Sequence, residues 1–362
     1  MDHNLTFNEL VSYFHRQTKE LKIILLGLSL ISLFSLILTY QQYKLSVLTT
    51  RLQHLMGKDN PEIDFSLNGA TLQTSLSLIN YIPPERPPTP TFIFHNKMPK
   101  CGSTTLNFVL KELALNNNFN YEMILSNENL KNDIKGTSER LRSIKTESTH
   151  ENILVMQHQT FMNFSEVGII TQPTFINVVR NPVDRFVSNY YFCRFGSVRI
   201  PRRGAGCQNM SDREINMPVE KYVRTVERLT DEDINYRPWL CGTGANCVAG
   251  DNEIQRKRAY DYTKYLVLNE YFIVGVLEHF DKTLDLLAAQ LPDYFKGGKD
   301  VYYNSPAVKR MVESMRTQHK QPLNNKTRSY LEVEDFKYDM DLFRFVEAKF
   351  MIQYSRYVDR VF

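Results

Sequence analysis

The chain has 362 residues, 42% of them apolar and 23% charged, which allows a sizeable core and excludes wholesale disorder. Lys and Arg number 44 against 40 Asp and Glu, a formal net charge of +4. That balance is too even for a histone-like or tail-driven nucleic-acid binder, so no nucleic-acid partner is expected. A local basic groove stays open.

In chain order, residues 1–22 form a short polar tail. Residues 23–40, IILLGLSLISLFSLILTY, are an 18-residue run without a charge. As a helix rising 1.5 Å per residue the run covers about 27 Å, enough for a thin bilayer core. A signal peptide would start nearer residue 1 and end in a small-x-small cleavage site, and this run does neither. It reads as a transmembrane signal anchor. Arg16, Lys19 and Lys22 precede it, and Lys44 and Arg51 follow, a bias toward an inside N-terminus. The expectation is a single-pass type II membrane protein of the secretory pathway with a lumenal C-terminal part. Sequons at Asn163, Asn209 and Asn325 agree with that side.

Residues 41–90 read as a stem. Leu45, Leu48, Leu52 and Leu55 have a/d spacing, compatible with a short coiled coil or an ordinary amphipathic helix. The stretch from Pro83 to Pro90, PPERPPTP, is a stiff linker that marks the start of the main domain, residues 91–362. The five cysteines all follow the anchor. Cys241 and Cys247 bound a short glycine-containing loop, as a local disulfide would. Cys193 and Cys207 could form a second bridge, which leaves Cys101 over. No CxxC pair or histidine cluster accompanies them, so no metal is expected.

Strands and helices alternate in the main domain, the pattern of an α/β fold with a parallel sheet. Residues 91–95, 153–158, 175–180 and 271–277 read as buried strands. Residues 103–115, 183–195, 281–291 and 334–360 read as helices.

Two loops carry chemistry. The first, Lys97-Met98-Pro99-Lys100-Cys101-Gly102-Ser103-Thr104-Thr105, joins a strand to a helix. Such a turn offers backbone N–H groups and the positive end of a helix to an anion. Gly102 permits close approach, the hydroxyls of Ser103, Thr104 and Thr105 add donors, and Lys100 adds charge. It is not a Walker A loop, because the lysine precedes the glycine. The bland alternative is a helix capped by Ser103. The second loop follows the strand 175–180, where open α/β sheets bind ligands. Arg180 and Ser188, in VVRNPVDRFVSNYYFCRFG, are spaced to clamp a phosphate.

The pair of loops resembles the cofactor motifs of lumenal sulfotransferases, closest to the 2-O-sulfotransferase group acting on uronic acids of heparan, dermatan and chondroitin sulfate, Pipe-type proteins included. WLCGTGANC and YTKYLVLNEYFIVGVLEHFDKTLDLLAAQLPDYFKG extend the likeness over most of residues 91–350. The resemblance implies a P-loop-like sulfotransferase fold, a central parallel sheet flanked by helices, and a Golgi membrane location. It implies 3′-phosphoadenosine 5′-phosphosulfate (PAPS) as cofactor, without a metal. Lys100, Cys101, Gly102, Ser103, Thr104 and Thr105 then correspond to the 5′-phosphosulfate loop, and Arg180 and Ser188 to the 3′-phosphate pair. Arg316 and Lys320 fall in a basic loop that closes over the cofactor. His158 stands at the family's catalytic histidine, with Lys100 supplying charge at the bridging oxygen. Where family members often carry a second histidine, this chain has Met156. His95 is the reserve base.

A polyanionic sugar chain is the expected acceptor. Lys97, Arg194, Arg199, Arg202 and Arg203 are the candidates for binding it. Relatives suggest a homo-oligomer, and the sequence leaves that state open. The rival readings are a non-catalytic glycan-binding protein on the same scaffold and a sulfotransferase acting on glycoprotein glycans. Charge distribution supports an anion-handling domain. Residues 180–203 hold six basic side chains against one acidic, and residues 306–328 repeat that ratio.

Overall fold

The computed structural model describes residues 90–124, 134–164, 172–200, 210–225, 235–248, 250 and 252–359. The chain divides into compact units Met1–Asn80 and Tyr81–Phe362, and all described residues lie in the second. The expected anchor at 23–40, the stem leucines and nearly all of the Pro-rich linker lie outside the described residues. Among the described residues no helix is long and apolar enough to cross a membrane.

Five parallel strands build one sheet in the order β2-β3-β1-β4-β5. They are β1 (Phe92–Asn96), β2 (Asn120–Ile124), β3 (Ile153–Gln157), β4 (Thr174–Val179) and β5 (Tyr271–Val276). The three central strands are short apolar runs because both faces of a parallel sheet are covered. Strand β2, NYEMI, is partly exposed at one edge, and its polar residues hide it from a hydrophobic reading. The register sets His95 beside both Met156 and Ile176.

The flanking helices that matter for the site are α1 (Ser103–Asn117), α2 (Ile134–Glu147), α3 (Pro182–Phe195), α4 (Glu253–Asn269), α5 (Phe280–Gln290), α6 (Pro306–Ser314) and α7 (Lys337–Tyr357). The expected C-terminal helix over 334–360 is thus shorter, because residues 331–335 form a π-helical turn before it. Helix α7 packs on β5, α4 and α5. It also serves the backbone at the sheet edge, where β4 and β5 slip register between Phe175 and Ile176. The Phe272 carbonyl accepts from Gln353 Nε2 at 2.9 Å, and the Tyr271 carbonyl accepts from the buried Lys349 Nζ at 2.8 Å. Burial pushes the Lys349 ammonium down to about 7.

Phe94, Phe161, Phe164, Phe175 and Tyr271 form one aromatic cluster on the sheet. A second core lies under α3, where Phe186, Val187 and Tyr190 meet Val219, Leu331, Phe336 and Met340. Between sheet and site sits a buried amide. Asn96 Nδ2 donates to the Trp239 carbonyl at 3.0 Å and to the Tyr271 hydroxyl at 2.8 Å. Asn177 Nδ2 donates in turn to the Asn96 carbonyl at 2.7 Å. Asn96→Leu would keep the volume and strip these partners. We expect a loss of about 2–4 kcal/mol in denaturant unfolding, more than from a Leu-to-Ala change at the exposed Leu115.

Candidate active site

After β3 the chain passes to the other side of β1, so the loops leaving β1 and β4 part company at their C-terminal ends. Open α/β sheets bind ligands at such a switch point. Here a cleft of about 1190 Å³ opens there, lined by Lys100, Gly102, Ser103, Thr104, Thr105, His158, Arg180, Ser188 and Arg316 among others. Both sequence loops and the favoured histidine thus meet in one cavity.

The first loop owes its shape to two left-handed residues, Lys100 at φ 64° and Gly102 at φ 78°. A Cβ on Gly102 would stand 2.5 Å from Leu277 Cδ1, so glycine is required by space as well as by φ. Gly102, not Ser103, is the N-cap of α1, and no side chain caps this end. The first amides of a 15-residue helix therefore lack the side-chain acceptor that most helices supply. An uncapped N-terminus in a cleft suits an anion. Cys101 turns the other way. It is 1% exposed, and burial pushes its thiol up to about 12. Its part in the loop is through the backbone.

The Lys100 ammonium lies 3.6 Å from the centre of the Phe192 ring and 3.4 Å from Thr317 Oγ1. Burial, then the neighbouring Arg180 and Lys320 charges, hold it down to about 7. Arg180 leaves the end of β4 and donates from Nη1 to the Lys100 carbonyl at 3.3 Å, tying the two loops together. Ser188 lies on α3, which Asn181 caps through Oδ1, accepting from the amides of Val183 and Asp184. The basic loop is fixed by backbone pairing. Thr317 bridges Ser197, the Gln318 amide donates to the Gly196 carbonyl at 3.1 Å, and the Arg199 amide donates to the Ser314 carbonyl at 3.0 Å. Arg316 thereby lines the cleft. Lys320 does not line it, but its charge acts on Lys100 and Arg180.

His158 follows β3. Its Nδ1 is 3.2 Å from the Lys97 carbonyl oxygen, and the ring meets Trp239 edge-on at 6.3 Å. A carbonyl only accepts, so the ring proton belongs on Nδ1 and the lone pair on Nε2. That is the tautomer a general base needs. His95, the reserve base, is removed from consideration by its position. It is 1% exposed within β1, away from the cleft lining. Burial, then the Lys97 and His158 charges, push it down to about 3.

The acceptor candidates separate. Lys97 is buried beside the His158 contact, and burial pushes it down to about 8. Arg199 is exposed against α6, with Nη1 at 3.2 Å from Met311 Sδ. Arg194, expected among the acceptor-binding cations, is turned inward instead. It is 4% exposed, stacked 3.5 Å over Tyr190, and it donates to the Glu214 and Tyr190 carbonyls. Its charge is consumed in holding α3 to the 211–217 turn. Arg202, Arg203, Cys207 and Asn209 lie outside the described residues. Asn163 and Asn325 are exposed. Cys241 and Cys247 are joined, S–S 2.00 Å, Cys193 is also disulfide-bonded, and Cys101 is free.

Sequence reasoning missed part of the lining: Asn189, Phe192, Trp239, Tyr302, Tyr303 and Lys309. Trp239 is the only tryptophan of the chain and adjoins the disulfide loop, a usable signal. The tyrosine doublet carries none, because a Tyr-Tyr pair on a helix is ordinary core.

A parallel α/β sheet with an uncapped helix end, two cationic loops and a histidine in one cleft suits the class of enzymes that transfer a small anionic group. The comparisons specify which. A sulfotransferase family model matches residues 89–346, and the chain belongs to this family. The protein is a sulfotransferase. It is 27% identical over 274 residues to heparan sulfate 2-O-sulfotransferase 1 of Xenopus laevis, covering 71% of each chain. To the Homo sapiens protein of that name it is 26% identical over 271 residues, again 71% of each. To uronyl 2-sulfotransferase of Homo sapiens it is 31% identical over 276 residues, 73% of this chain and 63% of the relative.

Gly102→Ala combines a disfavoured φ with the Leu277 contact. We expect about 1–3 kcal/mol lost in urea unfolding. Adding Leu277→Ala should fail to restore wild-type stability, because the φ cost remains.

Proposed function

We propose that the protein transfers a sulfuryl group from PAPS to the 2-hydroxyl of a uronic acid in a glycosaminoglycan of heparan, dermatan or chondroitin sulfate type. The observation that carries this reading is the meeting of Lys100, Arg180 and His158 at one cleft whose floor is an uncapped helix end. Two similar proteins, a heparan sulfate 2-O-sulfotransferase and a uronyl 2-sulfotransferase, support the acceptor class.

The donor is a substrate with two anionic ends, and the site has two cationic loops. Residues 100–105 suit its 5′-phosphosulfate, and Arg180 with Ser188 suits its 3′-phosphate, with Arg316 and Lys320 adding charge above. The acceptor oxygen attacks sulfur in line while the bond from sulfur to the bridging phosphate oxygen breaks. His158 Nε2 takes the hydroxyl proton, and Lys100 neutralises charge developing on the departing 3′,5′-bisphosphate. Lys97, next to His158, suits the acceptor carboxylate, and Arg199 with Arg202 and Arg203 suits sulfates further along the chain. The type II Golgi membrane setting belongs to the same proposal and rests on the sequence of residues 1–40.

Two experiments test it. With labelled PAPS and a panel of glycosaminoglycan and glycoprotein acceptors, His158→Ala and Lys100→Ala should each lower transfer by at least about 100-fold, with melting temperatures near wild type. Retained activity in either removes that residue from its role, and a label found only on glycoprotein glycans overturns the acceptor class. The second test follows from Lys100. Its ligand-free value of about 7 lies below that of a free lysine, so above pH 7 the side chain is largely neutral. A bound anion favours the charged form. Binding of the desulfated donor at pH 8 should therefore take up protons, seen calorimetrically in buffers of different ionisation heat, and affinity should fall as pH rises from about 7. Lys100→Ala should lessen the uptake. No binding of the desulfated donor at all would favour the non-catalytic reading.

A further inference from the structure

Glu278 stands at the end of β5, in sequence far from both cationic loops, and nothing in the loop motifs points to it. Its Oε1 accepts from the backbone amide of Asn181 at 2.8 Å. Asn181 is the N-cap of α3 and directly follows Arg180. In a capping box the residue three places into the helix reaches back to this amide. Here that residue is Asp184, which instead pairs with Arg328. Glu278 closes the box from another strand. The arrangement matters because the amide it holds is one peptide from Arg180, and Arg180 is already directed across the cleft to the Lys100 carbonyl.

The adjoining Leu277 packs under Gly102. The end of β5 therefore supports both loops: Leu277 beneath the first and Glu278 behind the second. The charged groups that face the Glu278 carboxylate are Arg180 and Asp184. Lys320 lies within electrostatic reach of the same cluster. A carboxylate beside a phosphate-binding arginine repels the ligand, a cost offset if the carboxylate holds the turn that aims the arginine.

We propose that Glu278 is a positioning residue for the donor's 3′-phosphate: it anchors the Arg180–Asn181 turn where Arg180 and Ser188 can grip that group. This rests on the PAPS reading above and adds the element that sets the 3′-phosphate site. It acts through Arg180, while the phosphosulfate loop keeps a separate support where Gly102 rests on Leu277, so loss of Glu278 should show mainly with ligands that carry a 3′-phosphate.

The test uses the full chain and two probes, adenosine 3′,5′-bisphosphate and adenosine 5′-monophosphate, by calorimetry. Glu278→Ala removes the acceptor and Glu278→Asp withdraws it by one methylene. Glu278→Gln keeps an oxygen that can accept from Asn181. In the Ala and Asp variants we expect bisphosphate affinity to fall by about 10-fold or more, with monophosphate affinity within about twofold. The Gln variant should bind both at least as tightly as wild type, since it keeps the acceptor and loses the negative charge, and the acceptor KM should not move. Unchanged bisphosphate binding in Glu278→Ala and Glu278→Asp overturns the proposal, and so does an equal loss of both nucleotides, which marks a merely structural role. If the Ala variant does not fold, the Asp and Gln pair decides. If wild type fails to distinguish the two nucleotides, the 3′-phosphate site itself is wrong and the proposal falls with it.

Discussion

The amide of Asn96 is the interaction on which the site depends. It ends the central strand, fully buried, and both its hydrogens are used on the Trp239 carbonyl and the Tyr271 hydroxyl. Asn177 on β4 secures it from the other side. Three strands and the Trp239 turn are thereby fastened at the level where the cleft begins. The Trp239 carbonyl also accepts from the Phe161 amide at 3.0 Å, three residues after His158. One network thus sets the floor beneath the histidine and the end of the strand that delivers Lys97 and Lys100. In a low dielectric such a network is worth more than its separate bonds, and it fails as a unit.

The second governing fact is electrostatic. Burial first, and then the repulsion among Lys100, Arg180 and Lys320, lowers both lysines. Mutual repulsion is an expense of the ligand-free fold, and an entering dianion relieves it. Two acids nearby are occupied, Glu278 with the Asn181 amide and Asp184 with Arg328, and Glu313 lines the cleft. Lys100, Arg180, Arg185, Lys309 and Arg316 line it too, so positive charge predominates there. The modest +4 of the whole chain is therefore a poor guide to the potential at the site.

Much of this was legible in sequence for definite reasons. Strands β1, β3, β4 and β5 are buried on both faces and read as unbroken apolar runs within one residue of their true ends. The two loops were legible because glycine, lysine and hydroxyl residues fall between a strand and a helix. What was hidden depends on partners distant in sequence. Nothing local says that Arg194 turns inward onto Tyr190 while Arg199 turns outward. Nothing marks His95 as core and His158 as cleft, since both stand near strand ends; His95 pairs with Met156, and two register positions in a parallel sheet make the difference. Strand β2 escaped because an edge strand need not be apolar. Ser103 looked like a cap because its chemistry suits one, but the left-handed Gly102 takes the N-cap position and Ser103 is the first helical residue.

Cys101 carries a consequence of another kind. Disulfide exchange proceeds through the thiolate, and burial pushes the Cys101 thiol up to about 12, so far less of it is thiolate near neutral pH than for an ordinary cysteine. The chain keeps an odd thiol in a molecule whose Cys193, Cys241 and Cys247 are already bridged. An accessible thiolate there would reshuffle those bridges during maturation or trap the molecule in mixed disulfides. Packing the sulfur under the loop, 1% exposed, disfavours such exchange at the unpaired cysteine.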